Sequence, residues 1–162
     1  MDVSVRARDD VQSITVICGP TASGKSALAL DLAKEKDGVI LNADSLQLYN
    51  ALPVLTAQPT DQDKLEIEHY LYGVLNPTYK CSAQSWRDMA LEKIESLLVA
   101  RRHPVIVGGT GLYLKALMEG LSFMPEIPAE IRAESVALQK ERGNPGFHAV
   151  LAHIDPVMAS RL

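Results

Sequence analysis

Residues 19–26 read GPTASGKS and fit the pattern G-x-x-x-x-G-K-[ST] at every fixed position. No other stretch constrains the fold as strongly. Such a loop holds an anion by turning successive backbone N–H groups toward it, and the N-terminus of a following helix adds its positive dipole end. The loop therefore needs a strand before it and a helix after it. SITVIC (13–18), short and β-branched, reads as a buried parallel strand, with Cys18 as a small buried residue. GKSALALDLAKE (24–35) is rich in Ala and Leu, carries no breaker and reads as a helix. Gly19, Pro20, Thr21, Ala22, Ser23, Gly24, Lys25 and Ser26 are accordingly the phosphate-binding candidates. Lys25 supplies a mobile charge for terminal phosphates, and the Ser26 hydroxyl is a candidate Mg²⁺ ligand.

Beyond the loop, strand and helix patterns alternate. GVILNAD (38–44) is a second apolar run, and Pro53, Pro59 and Pro77 mark a loop region after it. Trp86, Ala90, Ile94, Leu97 and Leu98 recur at helical spacing and predict a core stripe. HPVIVGG (103–109) is a third strand, and TGLYLKALMEG opens a helix that stops at Gly120. This alternation predicts an α/β fold with a P-loop NTPase-like parallel sheet flanked by helices over residues 12–120. From 121 to 162 the texture changes. LSFMPEIP carries two prolines, AEIRAESVALQKERGN reads as a charged helix closed by Gly143, and one or two short helices follow. That segment has no closing element, which predicts a tail that is loose or ordered by self-association.

The totals exclude more than they assert. Of 162 residues, 16 are Lys or Arg and 20 Asp or Glu, a net charge of −4 that gives no global basic footprint for a polyanion. Cys18 and Cys81 lie too far apart in sequence to suggest a disulfide framework or metal site, so a reducing cytoplasm is the default. The N-terminal MDVSVRARDD lacks an apolar core for a signal peptide, and no apolar run approaches the ~18 residues of a membrane span. A soluble cytoplasmic protein is expected.

Asp44 closes the second strand, and in an open α/β sheet that end faces the ligand crevice. Its carboxylate could be a general base, an outer Mg²⁺ partner or a cap, while Ser45 and Gln47 could cap or hydrogen-bond beside it. Thr110, within Gly108-Gly109-Thr110-Gly111, could donate to a ligand or cap the next helix. Lys93, Arg101, Arg102 and His103 group around a helix end, where cations suit the dipole. His69 and Tyr70 could line a pocket or be structural. The loop alone leaves nucleotide kinase, GTPase and prenyltransferase open, because each neutralises charge on phosphate oxygens.

The combination of motifs narrows the choice. GPTASGKSALAL, NADSLQLY, SAQSWRDMA and PVIVGGTGLYLKALMEGL, in this order, resemble the tRNA dimethylallyltransferases (tRNA isopentenyltransferases). IPAEIRAE and LAHIDPVMASRL resemble that family's continuation into a helical insertion domain. The resemblance implies transfer of a dimethylallyl group from dimethylallyl diphosphate to the exocyclic amine of the adenosine 3′-adjacent to the tRNA anticodon. Diphosphate leaves and Mg²⁺ assists. It further implies Asp44, Lys25 and Thr110 as catalytic residues, with Asp44 accepting from the adenine amine and Thr110 touching the flipped adenosine or its phosphate. Asp44, Ser45, Leu46 and Gln47 would floor the target base, and Arg132 would contact tRNA. Two positions depart from the family: Leu55 stands where it usually has Gly, and Gln58 where it has Lys. A Pro-His-His stretch in the family is Ile67-Glu68-His69 here. The family's chains run nearly twice as far, so an N-terminal fragment is expected. A small-molecule kinase using ATP and a non-catalytic phosphate-binding fragment are the alternatives.

Overall fold

The computed structural model describes residues 13–122, 125 and 127–162. The N-terminal stretch, the boundary at residue 12 and part of LSFMPEIP lie outside them. One compact unit ends at Leu121, and Ser122–Leu162 forms a second.

In the first unit, β1 (Thr15–Cys18) leads through the glycine loop into α1 (Lys25–Glu35), and β2 (Gly38–Asn42) follows. α2 (Asp61–Glu66) and β3 (His69–Tyr70) come next, then α3 (Ala83–Val99), β4 (His103–Gly108) and α4 (Gly111–Glu119). All strand pairs are parallel, in the order β1-β4-β2-β3.

The register sorts side chains onto two faces. Thr15, Val105, Ile40 and His69 are aligned across the sheet. Ile40 and Val105 pack against Ala29 and Ala33 of α1. One residue on, Val16, Ile106, Leu41 and Tyr70 form the next row. Leu41 and Ile106 belong to the opposite core, with Trp86, Ala90 and Leu97 of α3 and Tyr113 and Leu114 of α4. Trp86 stacks on Tyr113 with ring centroids 4.7 Å apart, an arrangement worth about 1 kcal/mol beyond its burial.

Several local expectations change. β2 is buried at all five positions, but β1 is an edge strand here, with Ile17 its one buried residue; Cys18 is exposed, not buried. The α3 stripe holds at Trp86, Ala90, Ile94 and Leu97, whereas Leu98 is half-buried. α2 and β3 interrupt what reads as loop. Thr60 starts α2 through a reciprocal capping box with Asp63, a T-x-x-D signature visible in the sequence. The basic cluster disperses. Lys93 sits mid-helix with Nζ 3.4 Å above the Tyr70 ring centre, Arg102 bridges Glu68 at 2.9 Å and Asp37 at 3.3 Å, and the His103 ring lies 2.8 Å from the Thr15 hydroxyl. Lys93 and Arg102 are bound up in structure, and Arg101 is exposed.

The second unit contains α5 (Ala129–Ile154) and α6 (Pro156–Ala159). Gly143, at φ 66° and ψ 176°, breaks α5 into two helices where the sequence predicts a stop, and Pro145 lies just beyond. Ala159 of α6 is buried, and its carbonyl lies 3.0 Å from the His148 ring nitrogen.

Gly108 is the position least tolerant of a side chain. A Cβ built there would lie 2.2 Å from the Ala43 carbonyl carbon and oxygen, whereas one at Gly109 meets nothing closer than 3.4 Å. Gly108→Ala should therefore destabilise the fold by about 3 kcal/mol or more, and Gly109→Ala by far less, in paired urea melts.

Candidate phosphate and acceptor site

The loop takes the form its glycines permit. Gly24 lies in the left-handed region (φ 83°) as the N-cap of α1, and Ala22 is left-handed at φ 61°. No side chain caps α1, so its leading N–H groups are left for an anion. Thr21, Ser23 and Ser26 are exposed around this turn with Gly24. Lys25 Nζ donates to the Pro20 carbonyl at 2.5 Å, which folds the ammonium back over the loop.

The other wall is the carboxyl end of β2. Asn42 is fully buried and fully engaged. Its Nδ2 donates to the carbonyls of Asp44 (2.8 Å) and Leu71 (2.9 Å), its Oδ1 accepts from Asp44 N (2.8 Å), and its carbonyl accepts from Trp86 Nε1 (2.9 Å). The backbone at Asp44 is thus pinned from both sides. Its carboxylate accepts from Leu46 N at 2.9 Å, which fixes the side chain while leaving acceptor capacity.

Thr110 is the N-cap residue of α4, but its side chain caps no helix N–H. Its hydroxyl accepts from Ser45 N at 3.0 Å, and its Oγ1 lies 3.4 Å from the Ser45 hydroxyl, joining the two strand ends. Thr110 N donates to the Ala43 carbonyl at 3.2 Å. Asp44, Ser45 and Thr110 are thereby brought together, as expected of residues sharing one crevice. Leu46 is 66% exposed and available to a partner. Arg132 is an exposed residue of α5 in the second unit.

Gln47 and Gln58 hold the intervening loop. Gln47 Nε2 donates to the carbonyls of Thr56 (2.8 Å) and Ala57 (3.0 Å). Gln58 Nε2 donates to the Tyr49 carbonyl at 2.8 Å. The amide at 58 therefore replaces a cation with a loop tie. Leu55 is exposed and avoids the left-handed region, so no glycine is demanded there.

Beside the loop on the α1 face lies a cleft of about 90 Å³, lined by apolar residues such as Ala29, Ile40 and Val107 and as fully by polar ones, among them Ser26, Gln58, Asp63, His69 and Tyr72. His69 thus lines a pocket. Tyr70 is on the opposite face, its hydroxyl donating to Glu68, and lines a separate cavity there with Met89 and Lys93. Sequence reasoning missed Asn42, a polar residue inside an apolar strand run, and Tyr72. Among the described residues, no group of three or more His, Cys, Asp or Glu could hold a metal, and no helix is long and apolar enough to cross a membrane. A Mg²⁺ would fit with the Ser26 hydroxyl, since this ion keeps most of its shell as water and ligand phosphate oxygens.

A family model described as IPP transferase matches residues 47–162. A tRNA dimethylallyltransferase of Paramagnetospirillum magneticum is 56% identical over 147 residues, covering 91% of this chain and 47% of that protein. One from Rhodospirillum centenum is 52% identical, covering 92% and 48%. The chain spans about half the length of these relatives. Among solved structures, the tRNA isopentenylpyrophosphate transferase of Bacillus halodurans aligns with a TM-score of 0.67 at 30% identity, over 93% of this chain and 50% of its own. A eukaryotic dimethylallyltransferase acting on tRNA aligns at 0.76 and 23% identity, over 92% and 37%, a likeness of fold.

Thr110→Val keeps the shape and removes the acceptor for Ser45 N. It should cost about 1–2 kcal/mol and speed amide exchange at Ser45, while Thr110→Ser retains protection; exchange measured by NMR checks both. A second expectation concerns pH. Burial holds both His69 and His103 below the ordinary imidazole value. The folded state then binds fewer protons than the unfolded chain, so stability is full above about pH 6.5 and falls below it. Replacing both histidines by Gln should flatten that decline between about pH 6.5 and 5, above the range where carboxylates titrate, as read from urea melts.

Proposed function

From the premise that this chain belongs to the IPP transferase family, we propose that it carries the donor and acceptor sites for prenyl transfer to tRNA. The group transferred is dimethylallyl, the donor dimethylallyl diphosphate, and the acceptor the exocyclic amine of the adenosine 3′-adjacent to the anticodon, in the cytoplasm. The observation that carries this reading is the opposition of two unlike sites at one sheet edge. An anion loop ends β1, and a fixed carboxylate with spare acceptor capacity ends β2.

In the reaction the donor's C1–O bond breaks as the N–C bond forms. The electron pair of the broken bond leaves with diphosphate, and the amine loses one proton. Lys25 and the amides from Thr21 to Ser26 bind the departing diphosphate, and they hold it best when the charge on the bridging oxygen is fully developed. Mg²⁺ on Ser26 would add charge neutralisation there. Asp44 accepts the amine proton, which strengthens the nitrogen as nucleophile. Thr110 holds the 44–45 turn in place, and Leu46 and Gln47 lie along the surface a flipped base would meet. Arg132 adds a cation for the tRNA backbone.

Calorimetric titration with Mg²⁺ tests the donor half. Dimethylallyl diphosphate and inorganic diphosphate should bind, ATP should bind more weakly, and Lys25→Ala should weaken the diphosphates at least tenfold. Tight ATP binding with no response to the prenyl donor would sink the reading in favour of a kinase. For the acceptor half, Asp44→Ala should lower transfer to an anticodon stem-loop about 10²–10⁴-fold with donor binding retained.

A further inference from the structure

Leu52, Pro53, Val54 and Leu55 form an unbroken apolar run, and all four are exposed. Val54 is 93% exposed and Leu55 79%. Four consecutive apolar side chains in water contribute little to folding, and such a run marks a contact surface. The loop that carries them is not slack. Thr56 N donates to the Leu52 carbonyl at 3.0 Å, and Gln58 N to the Pro53 carbonyl at 2.9 Å. The Thr56 hydroxyl donates to the Leu52 carbonyl as well, at 3.1 Å. Leu52 and Ala57, at the two ends of the turn, both take left-handed angles with φ 52°. Residues with a Cβ hold that conformation at a cost, and only where their surroundings over-determine it. The tip is therefore held out into solvent in one shape, and binding through it costs little ordering entropy.

Two observations say what the tip meets. The first is its position. Gln47 Nε2 donates to the Thr56 and Ala57 carbonyls, which fastens the foot of the loop to the segment that carries Asp44 and Ser45. Leu46, between Ser45 and Gln47, is exposed too. The second is charge. From Ser45 to Thr60 the chain holds no Asp, Glu, Lys, Arg or His. Such a surface has no cation to offer a phosphate, and it suits an uncharged face instead. An RNA loop presents faces of that kind once a base is extruded, because the bases that stacked on it lose their cover. Leucine and proline are among the side chains that pack as apolar wedges against unstacked bases.

We propose that the 52–55 tip is a base-contacting surface, which covers the faces of the nucleotides flanking the adenosine extruded toward Asp44. This rests on the reading above that the acceptor is a tRNA anticodon loop. Cover for those faces offsets part of the cost of unstacking. The tip thus assists extrusion without touching the reacting atoms. It brings no charge into the interface, so it adds nothing to the salt dependence of RNA binding.

The test titrates an anticodon stem-loop RNA into the 162-residue chain at several salt concentrations, wild type against a paired Val54→Ser, Leu55→Ser variant. Both side chains are exposed, so the variant should fold, and unchanged binding of inorganic diphosphate with Mg²⁺ verifies this. Its affinity for the stem-loop should fall about tenfold, while the slope of log affinity against log salt stays the same. Leu55→Met keeps an apolar side chain and should retain the wild-type affinity. Equal affinity of the wild type and the paired variant overturns the inference and leaves the prenyl-transfer reading intact. A loss accompanied by a shallower salt slope does the same, because the contact is then with a phosphate. So does a wild-type dimer in light scattering that becomes monomeric in the variant, which gives the tip to a second copy. Failure of the wild-type chain to bind the stem-loop at all overturns the inference together with the acceptor half of the reading.

Discussion

Backbone-to-backbone contact between Gly108 and Ala43 sets the geometry of every residue at the carboxyl edge of the sheet. The two strand ends approach so closely that no side chain fits at 108. The approach is held by hydrogen bonds from Ala43 N to the Val107 carbonyl (2.7 Å) and from Thr110 N to the Ala43 carbonyl (3.2 Å). Once these form, Ser45 and Thr110 must be neighbours, and the Asp44 carboxylate must sit at the mouth of the crevice. Gly108, the last residue of β4, lets the chain approach itself, and the site gains definition from that.

The parts of the fold legible in the sequence are those with a local cause. The anion loop demands a strand and a helix around it, periodicity marks α3, and Gly120 marks the end of α4. Gly143 stops the first part of α5 by taking backbone angles that are costly for other residues. What escaped was set at long range. β3 is two residues long, so no periodicity can announce it; it exists because Ile40 and Leu41 offer it a ladder. The burial of a strand depends on its place in the sheet. β1 and β2 are both apolar runs, yet the edge position leaves Cys18 exposed while β2 is covered on both faces.

Site residues follow the same division. Residues 19–26 were legible because the motif is itself the mechanism. Thr110 was legible as a polar residue at a helix start, but a cap and a cross-link use the same hydroxyl, and only the position of Ser45 decides between them. Gln58 reads as a lost cation when set against the family, but its amide has a use in this chain, tying the 52–58 loop to Tyr49. Asn42 drew no attention within NAD, although a polar residue inside a buried run needs partners for every donor and acceptor. It finds them in Asp44, Leu71 and Trp86, and so carries rigidity from the α3 core to the carboxylate.

The two halves of the crevice are built to unlike tolerances, and the chemistry proposed for them explains why. The phosphate side is exposed and glycine-rich, with Lys25 resting on a backbone carbonyl from which it can swing. Diphosphate spreads its charge over many oxygens, so several arrangements of donors neutralise it almost equally well. The acceptor side is locked through Asn42, Thr110 and Gly108. A proton acceptor must sit within a narrow range of distance and direction from one nitrogen, and small displacements there are costly. Rigidity is therefore concentrated where a single lone pair must be aimed, and flexibility is left where charge alone has to be met.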